Sequence, residues 1–335
     1  MQIQENFSLR PYNTFHIDAK AKQFAAFSSV ADLLELRTRN LRIHTLIGGG
    51  SNILLTQDVD GLVLKNEIIG IEKMREDQDH VYVRAGAGEN WHRFVLYCIK
   101  NGWAGVENLS LIPGCVGASP MQNIGAYGVE ISDVFHELEA FHPGEASNYH
   151  FGIKDCAFGY RDSVFKNKYK DQFIITHVTY RLNKRPDFRT EYGAIRQELE
   201  KMNVKDLSIA AISQAVISIR SSKLPDPAVI GNAGSVFKNP SVTKEKFVEL
   251  QTAFNDMVAY ENADGSMKLA AGWLIESCGW KGFRRGDAGC HERQALVLVN
   301  YGNATGKEIY DLSEEILQSV NAKFGVVLER EVNVV

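Results

Sequence analysis

The sequence predicts an α+β protein. Three observations carry that expectation. Strand and helix signals alternate without a regular βα rhythm, 13 of the 28 glycines crowd into positions 48–128, and the chain closes on a helix followed by a β-type tail. That stretch holds about twice the glycine that an even spread would give.

Each element has a local cause. Ser29 in N-cap position, with Asp32 three residues on, opens a helix over 29–39. Residues 41–47 read as a strand that stops at Gly48, and 62–65 and 81–84 read as short strands bounded by glycines. Over 89–100 the apolar residues Trp91, Phe94, Val95, Cys98 and Ile99 recur at helical spacing, and Gly102 marks the stop. Periodicity then vanishes over 110–128, a loop too long to be a simple connector. Its Ile, Leu, Val and Met content predicts order.

Residues 173–182 alternate as a strand, and a less regular segment follows. The run 213–219 is apolar and β-branched and leads into Lys223-Leu224-Pro225-Asp226-Pro227, where two prolines place a domain boundary near 225. Helices are expected over 243–254, with Phe247, Leu250 and Phe254 on one face, and over 269–278. Thr305 and Glu308 form a capping-box pattern ahead of Ile309, Leu312, Ile316 and Val320. That helix should end at Gly325. A terminal strand follows over 326–335, with Val326, Leu328 and Val332 on one face and Val327, Glu329, Glu331 and Asn333 on the other.

Composition excludes several classes. The 37 basic and 41 acidic residues leave a net charge of −4, which argues against a nucleic-acid binder. With 44% hydrophobic and 23% charged residues, the chain has ordinary globular usage and is not disordered. No run approaches the ~18 apolar residues of a spanning helix, so no membrane insertion is expected. Residues 1–10 carry no apolar leader segment, so no signal peptide is expected. The five cysteines are odd in number and lack C-x-x-C spacing, which points to free thiols in a reducing cytoplasm. Cys290 and His291 are adjacent but have no partner cluster, so no metal site is expected.

Two segments have cradle chemistry. Gly48, Gly49, Gly50, Ser51 and Asn52 follow a strand and expose unhindered N–H groups with two side-chain donors. A tight turn explains this stretch equally well. It is no Walker loop, and Gly86-Ala87-Gly88-Glu89-Asn90-Trp91 is no Rossmann fingerprint. The second segment runs Ile112, Pro113, Gly114, Cys115, Val116, Gly117, Ala118, Ser119, and on through Gln122, Asn123, Gly125, Ala126 and Tyr127. Its small residues permit close approach by a flat or extended ligand. Together the two segments read as two edges of one large ligand site; a packed loop with no ligand is the alternative.

Nine stretches in order resemble one family. They are Asn13 to Phe15, GGGSN at 48–52, AGAGENWH at 85–92, LIPGCVGASPMQNIGAYG at 111–128, FGYRDSVFK at 158–166, KLPDP at 223–227, GNAGSVFKNP at 231–240, LAAGWLIE at 269–276 and E-x-E-V at 329–332. The chain thereby resembles the flavin-binding module of the vanillyl-alcohol-oxidase superfamily and, more narrowly, the UDP-N-acetylenolpyruvoylglucosamine reductase family of peptidoglycan precursor synthesis. The resemblance implies non-covalent FAD, NADPH as co-substrate, UDP-N-acetylenolpyruvoylglucosamine as substrate, and a cytoplasmic monomer. It implies a two-lobed FAD module, 1–70 (with 326–335 returning) and 71–225, and a substrate domain at 226–325. The cofactor residues would be Gly48, Gly49, Gly50, Ser51, Asn52, Ile112, Pro113, Gly114, Gly117, Ala118, Ser119, Asn123, Gly125 and Ala126. Cys115 would be a small loop residue and not a flavin attachment point.

The family reaction sends hydride from flavin N5 to C3 of an enolpyruvyl ether and a proton to C2. The resemblance makes Arg161 the cation at the carboxylate, Ser235 the proton donor, and Glu331 a partner in stabilising the enolic intermediate. Glu329 shares its face and is a rival. Without the resemblance, Arg161 reads as a surface ion-pair residue, Ser235 as a turn serine and Glu331 as part of a solvated face. For substrate the resemblance points to Tyr127, Tyr160, Tyr192, Lys223, Asn239, Tyr260, Lys281 and Gln294, with Tyr192 of Glu191-Tyr192-Gly193 on a lid loop of the family's longer form. The competing readings are an oxidase of the same superfamily and a non-catalytic nucleotide-binding scaffold.

Overall fold

A computed structural model describes residues 1–39, 41–192 and 194–335; Gly193 of the lid motif lies outside them. The architecture is α+β, as expected. The chain forms two compact units. One comprises 1–7, 21–49 and 59–222; the other comprises 8–20, 50–58 and 223–335.

In the first unit, strands Lys20–Phe27 and Ile43–Ile47 run parallel to Val59–Asn66, with Gln4–Ser8 at the edge. Helix Val30–Thr38 covers this sheet. Ser29 accepts from the Asp32 N–H while the Asp32 carboxylate accepts from the Ser29 N–H, so two otherwise unmet amides are satisfied. Leu33 and Leu36 of the helix pack on Ala25, Phe27, Leu62 and Leu64.

A second, antiparallel sheet has the order Ser147–Gly152, Phe135–His142, Ile174–Asn183, His80–Gly86, Ile71–Glu76. Helix Trp91–Lys100 buries Trp91, Phe94, Val95 and Cys98 in the same core as Val81, Val83, Val178 and Tyr180. Trp91 and Phe94 lie 5.8 and 4.7 Å from the Tyr180 ring. Burial of each such side chain contributes about 1.5–3 kcal/mol, as an upper estimate.

The segment after 182 is more regular than its sequence. It folds as helices Ile195–Lys201 and Ile209–Lys223. The β-branched run 213–219 is helical because Ile212, Ala215, Val216 and Ile219 fall on one face and pack with Ile195 and Leu199. Tertiary burial outweighs the small propensity cost of β-branching.

In the second unit, strand Gly231–Ser235 pairs with Val297–Asn300, which continues to Ala288–Cys290 and Arg284–Arg285. Helix Gly306–Phe324 packs on that sheet through Ile309, Leu312, Ile316 and Val320. Its capping box and its left-handed end at Gly325 (φ 63°) are those predicted. The expected terminal strand over 326–335 needs correction: only Asn333–Val334 is regular strand, parallel to Ile53–Leu54. The predicted alternation of burial holds, but the tail changes partner midway. Residues 329–331 bond to Val236 and Lys238, and residues 333–335 bond to Asn52 and Leu54. Among the described residues no helix is long and apolar enough to cross a membrane.

Candidate active site

The site residues of the first unit gather on the irregular loop 110–128 and the turn at 159–162. The loop is held by side chains turned inward. Ser119 is fully buried, and its hydroxyl lies 2.7 Å from that of Tyr180. Asn123 is also buried. Its amide donates to Glu130 Oε2 at 2.7 Å and to the Gly159 carbonyl at 3.1 Å, and its Oδ1 accepts the Ser132 N–H at 3.0 Å. These two predicted cofactor residues therefore brace the loop with their side chains.

The predicted edges adjoin. A Cβ on Gly49 would stand 3.0 Å from the Gly114 Cα, so the close approach of the two stretches leaves little room for a side chain at Gly49, and they form a single ledge there. Gly48, Gly114 and Gly117 are half-buried, and Gly49, Pro113 and Ala118 are exposed along it. Cys115 is buried, and burial raises its thiol pKa. It is a packing residue.

Strained backbone concentrates here. Leu111 (φ 59°), Asn123 (φ 44°), Tyr127 (φ 51°) and Arg161 (φ 54°) are all left-handed without being glycine. Such residues cost about 1–3 kcal/mol each and cluster where a site demands them. Gly159 and Asp162 exchange backbone hydrogen bonds, which puts Tyr160 and Arg161 at the tip of a tight turn. Arg161 Nη2 donates to the Gly125 carbonyl at 2.6 Å, and its guanidinium carbon lies 5.3 Å from the Tyr160 ring centre. Asp162, the acid next to Arg161 in sequence, accepts from Asn167 and from the Ser163 N–H.

Sequence reasoning missed two residues here. The Nε atom of Arg220 is buried without a hydrogen-bond partner among the described residues. Burial holds this guanidinium below the usual arginine range; the Tyr127 hydroxyl opposes that shift and Arg161 adds to it. Arg220 also stands with burial in lowering His92, whose Nδ1 accepts the Leu111 N–H at 3.0 Å. Asn108 donates to the carbonyls of Tyr127 and Arg189, at 3.0 and 2.8 Å. It thus ties the strained Tyr127 peptide to the segment leading to Tyr192. Tyr192 is half-exposed and packs beside Gly128. Helical spacing of Ile209, Ile212, Val216 and Ile219 was the available signal for placing Arg220 on a helix.

A ledge of small residues and, in the same unit, a buried guanidinium Nε without a partner among the described residues fit an anionic, flat cofactor such as FAD.

In the second unit, Ser235 follows a bulged strand end and is half-buried. Its hydroxyl makes no hydrogen bond among the described residues, unlike a turn serine bonded to its own backbone. The adjacent Val236 carbonyl accepts the Glu331 N–H at 2.7 Å, and Asn52 Nδ2 donates to the Glu331 carbonyl at 3.3 Å. Asn52, Ser235 and Glu331 are therefore joined through one backbone network. Ser51 is half-buried beside Asn52, and Gly50 is buried with its carbonyl accepting from the Thr14 N–H at 3.0 Å. Glu329 is 71% exposed and pairs with Lys238 at 3.2 Å.

The substrate candidates of this unit are more dispersed. Asn239 Oδ1 accepts the Ala271 N–H at 2.9 Å. Gln294 Oε1 takes the Leu296 N–H at 3.4 Å. Tyr260 is half-exposed, Lys281 is engaged by Glu276 at 2.8 Å, and Lys223 is exposed as the last residue of its helix.

The chain is similar to known proteins over its whole length. Residues 27–145 match an FAD binding domain, and residues 226–335 match the C-terminal domain of UDP-N-acetylenolpyruvoylglucosamine reductase. A reductase of that name from Amoebophilus asiaticus is 52% identical, and one from Flavobacterium johnsoniae is 51% identical; each alignment covers 100% of both chains. A solved structure, UDP-N-acetylenolpyruvylglucosamine reductase from Thermus caldophilus, is 24% identical. It superposes with a TM-score of 0.68 over 100% of this chain and 99% of the other, a likeness of fold.

Proposed function

We propose that this chain, which belongs to the UDP-N-acetylenolpyruvoylglucosamine reductase family, reduces UDP-N-acetylenolpyruvoylglucosamine to UDP-N-acetylmuramate with NADPH as electron source, as a cytoplasmic monomer. It is an FAD-dependent oxidoreductase. The observation that carries the substrate is the 52% identity over the full length of both chains.

FAD, when bound, supplies the two-electron chemistry between NADPH and the enolpyruvyl double bond. The ledge formed by 48–49 and 114–118 would hold it, with Arg220 as the cationic neighbour. Arg161 pairs its planar fork with the substrate carboxylate as charge spreads into it from C2. Support comes from its fixed pose: a half-buried guanidinium tethered to Gly125 on a strained turn. Ser235 gives its proton to C2. The O–H bond breaks as the C2–H bond forms, and solvent returns a proton to the oxygen. Glu331 stabilises the enolic species; it is favoured over Glu329 because Glu329 is spent on Lys238 at the surface. Tyr127, Tyr160, Tyr192, Lys223, Asn239, Tyr260, Lys281 and Gln294 contact substrate.

The test is spectroscopic. Purified protein should be yellow, bleach anaerobically with NADPH, and regain colour on adding UDP-N-acetylenolpyruvoylglucosamine. Recolouring by oxygen alone, with no response to the sugar nucleotide, would select the oxidase reading. Colourless protein that takes up no flavin would select the scaffold.

A further inference from the structure

We infer that Asn232 is a positioning residue for Ser235, and that it acts through the amide of Gly234. The strand bearing Ser235 is irregular where it matters. Gly231 and Asn232 pair with Asn300 and Val299, then the register shifts before Ser235 pairs with Val297. The bulge inserts one extra residue and re-aims the side chain that follows. Gly234 sits inside it at φ 69°, a conformation that glycine adopts without strain.

Asn232 holds that bulge from below. Only 2% of it is exposed. Its Oδ1 accepts the Gly234 N–H at 3.0 Å. Its Nδ2 donates to the carbonyls of Pro225 and Ile230, at 3.2 and 2.8 Å. Its own N–H donates to the Thr14 carbonyl at 2.9 Å. On the far side of Ser235, the Val236 N–H donates to Leu296 at 2.8 Å and its carbonyl accepts from Glu331. Ser235 is thus suspended between two pinned peptides, one of them pinned by a single side chain. Proton delivery to carbon tolerates little misplacement, since a shift of about 1 Å costs on the order of a hundredfold.

This inference rests on Ser235 being the proton donor. The experiment separates the two half-reactions of the FAD-loaded enzyme by stopped flow. For Asn232→Ala, flavin reduction by NADPH should stay within about twofold of wild type. Reoxidation by UDP-N-acetylenolpyruvoylglucosamine should slow by roughly 10–100-fold with a larger solvent deuterium isotope effect, while the substrate-induced flavin spectral shift titrates with unchanged affinity. Gly234→Ala is the second variant. Its added methyl meets nothing within 4 Å, so it perturbs only the backbone angle. It should give the same selective slowing, and it decides the matter should Asn232→Ala fail to fold. Equal loss in both half-reactions, or unchanged reoxidation, overturns the role of Asn232. Normal reoxidation in Ser235→Ala overturns the donor assignment and this inference with it; slow Ser235→Ala beside normal Asn232→Ala and Gly234→Ala overturns this inference alone.

Discussion

The Glu331 N–H donates to the Val236 carbonyl at 2.7 Å, so the residue bearing the candidate carboxylate is bonded to the neighbour of Ser235 across 95 positions of sequence (236 to 331). That single contact links two motifs that sequence shows only as separate stretches. It also makes their roles separable by experiment.

Ser235→Ala should leave NADPH-driven flavin reduction intact. Reoxidation by the enolpyruvyl substrate should fall by about a hundredfold to ten-thousandfold, the span usual for a positioned acid. Stopped-flow absorbance of the flavin reads both steps. Reoxidation near wild-type speed would remove Ser235 from the chemistry.

Glu331→Gln and Glu329→Gln should differ sharply. Glu329 is exposed and pairs with Lys238, and exposed pairs of this kind are worth about 0–1 kcal/mol. Its substitution should change turnover by less than about threefold, whereas Glu331→Gln should slow reoxidation by roughly a hundredfold. Equal, mild losses would mean the wrong glutamate was chosen.

Arg161→Lys keeps the charge and the same backbone demand at φ 54°, but loses the planar fork that reaches the Gly125 carbonyl and, in the proposed role, would take the substrate carboxylate. Flavin content should match wild type, and reoxidation should drop by roughly 10–100-fold. A lysine variant with full activity would show that charge alone suffices.

Thr305→Ala removes the side-chain acceptor for the Glu308 N–H at the start of the last long helix. Loss of such a cap costs about 0.5–2 kcal/mol. Thermal unfolding should begin at lower temperature, with both half-reactions unchanged. An unchanged melting temperature would show that the cap is dispensable.

Asp77 offers a pH test. The His80 and Asp79 N–H groups bond its carboxylate, at 2.8 and 2.9 Å, and with the Tyr82 hydroxyl they hold its pKa near about 2. A depressed folded-state pKa contributes stability that is present above the ordinary carboxylate value of about 3.9 and lost as pH falls through about 2. Asp77→Asn should therefore melt earlier than wild type at pH 7, and the gap should close as the solution is acidified from about pH 4 toward pH 2. A gap that stays constant would assign the effect to something other than this charge.

What sequence could show, and what it could not, follows from range. The caps at Ser29 and Thr305 and the apolar face of Trp91–Lys100 are local patterns, and the structure reproduces them. Helix Ile209–Lys223 was obscured because β-branched residues favour strands, and only its packing on Ile195 and Leu199 settles the matter. The tail at 326–335 has strand periodicity, yet its backbone changes partner after residue 331, which no one-dimensional pattern records. Apolar spacing places Arg220 on a helix, but neither its use nor that of Asn232 has a local signature. One matters through a missing partner and the other through a bond to a neighbour's amide.

The pairing of Asn333–Val334 with Ile53–Leu54 has a consequence for biosynthesis. The ribosome finishes strand Ile53–Leu54 some 280 residues before its partner (53 to 333). At about 5–20 residues per second, that is a wait of roughly 15–55 s. During translation this edge of the second unit stays open to chaperones and to mispairing. The peptides beside Ser235 likewise await residues 329 and 331, made about 95 residues later. A chain cut before residue 333 would lack Asn333 and Val334 and leave strand Ile53–Leu54 without that partner.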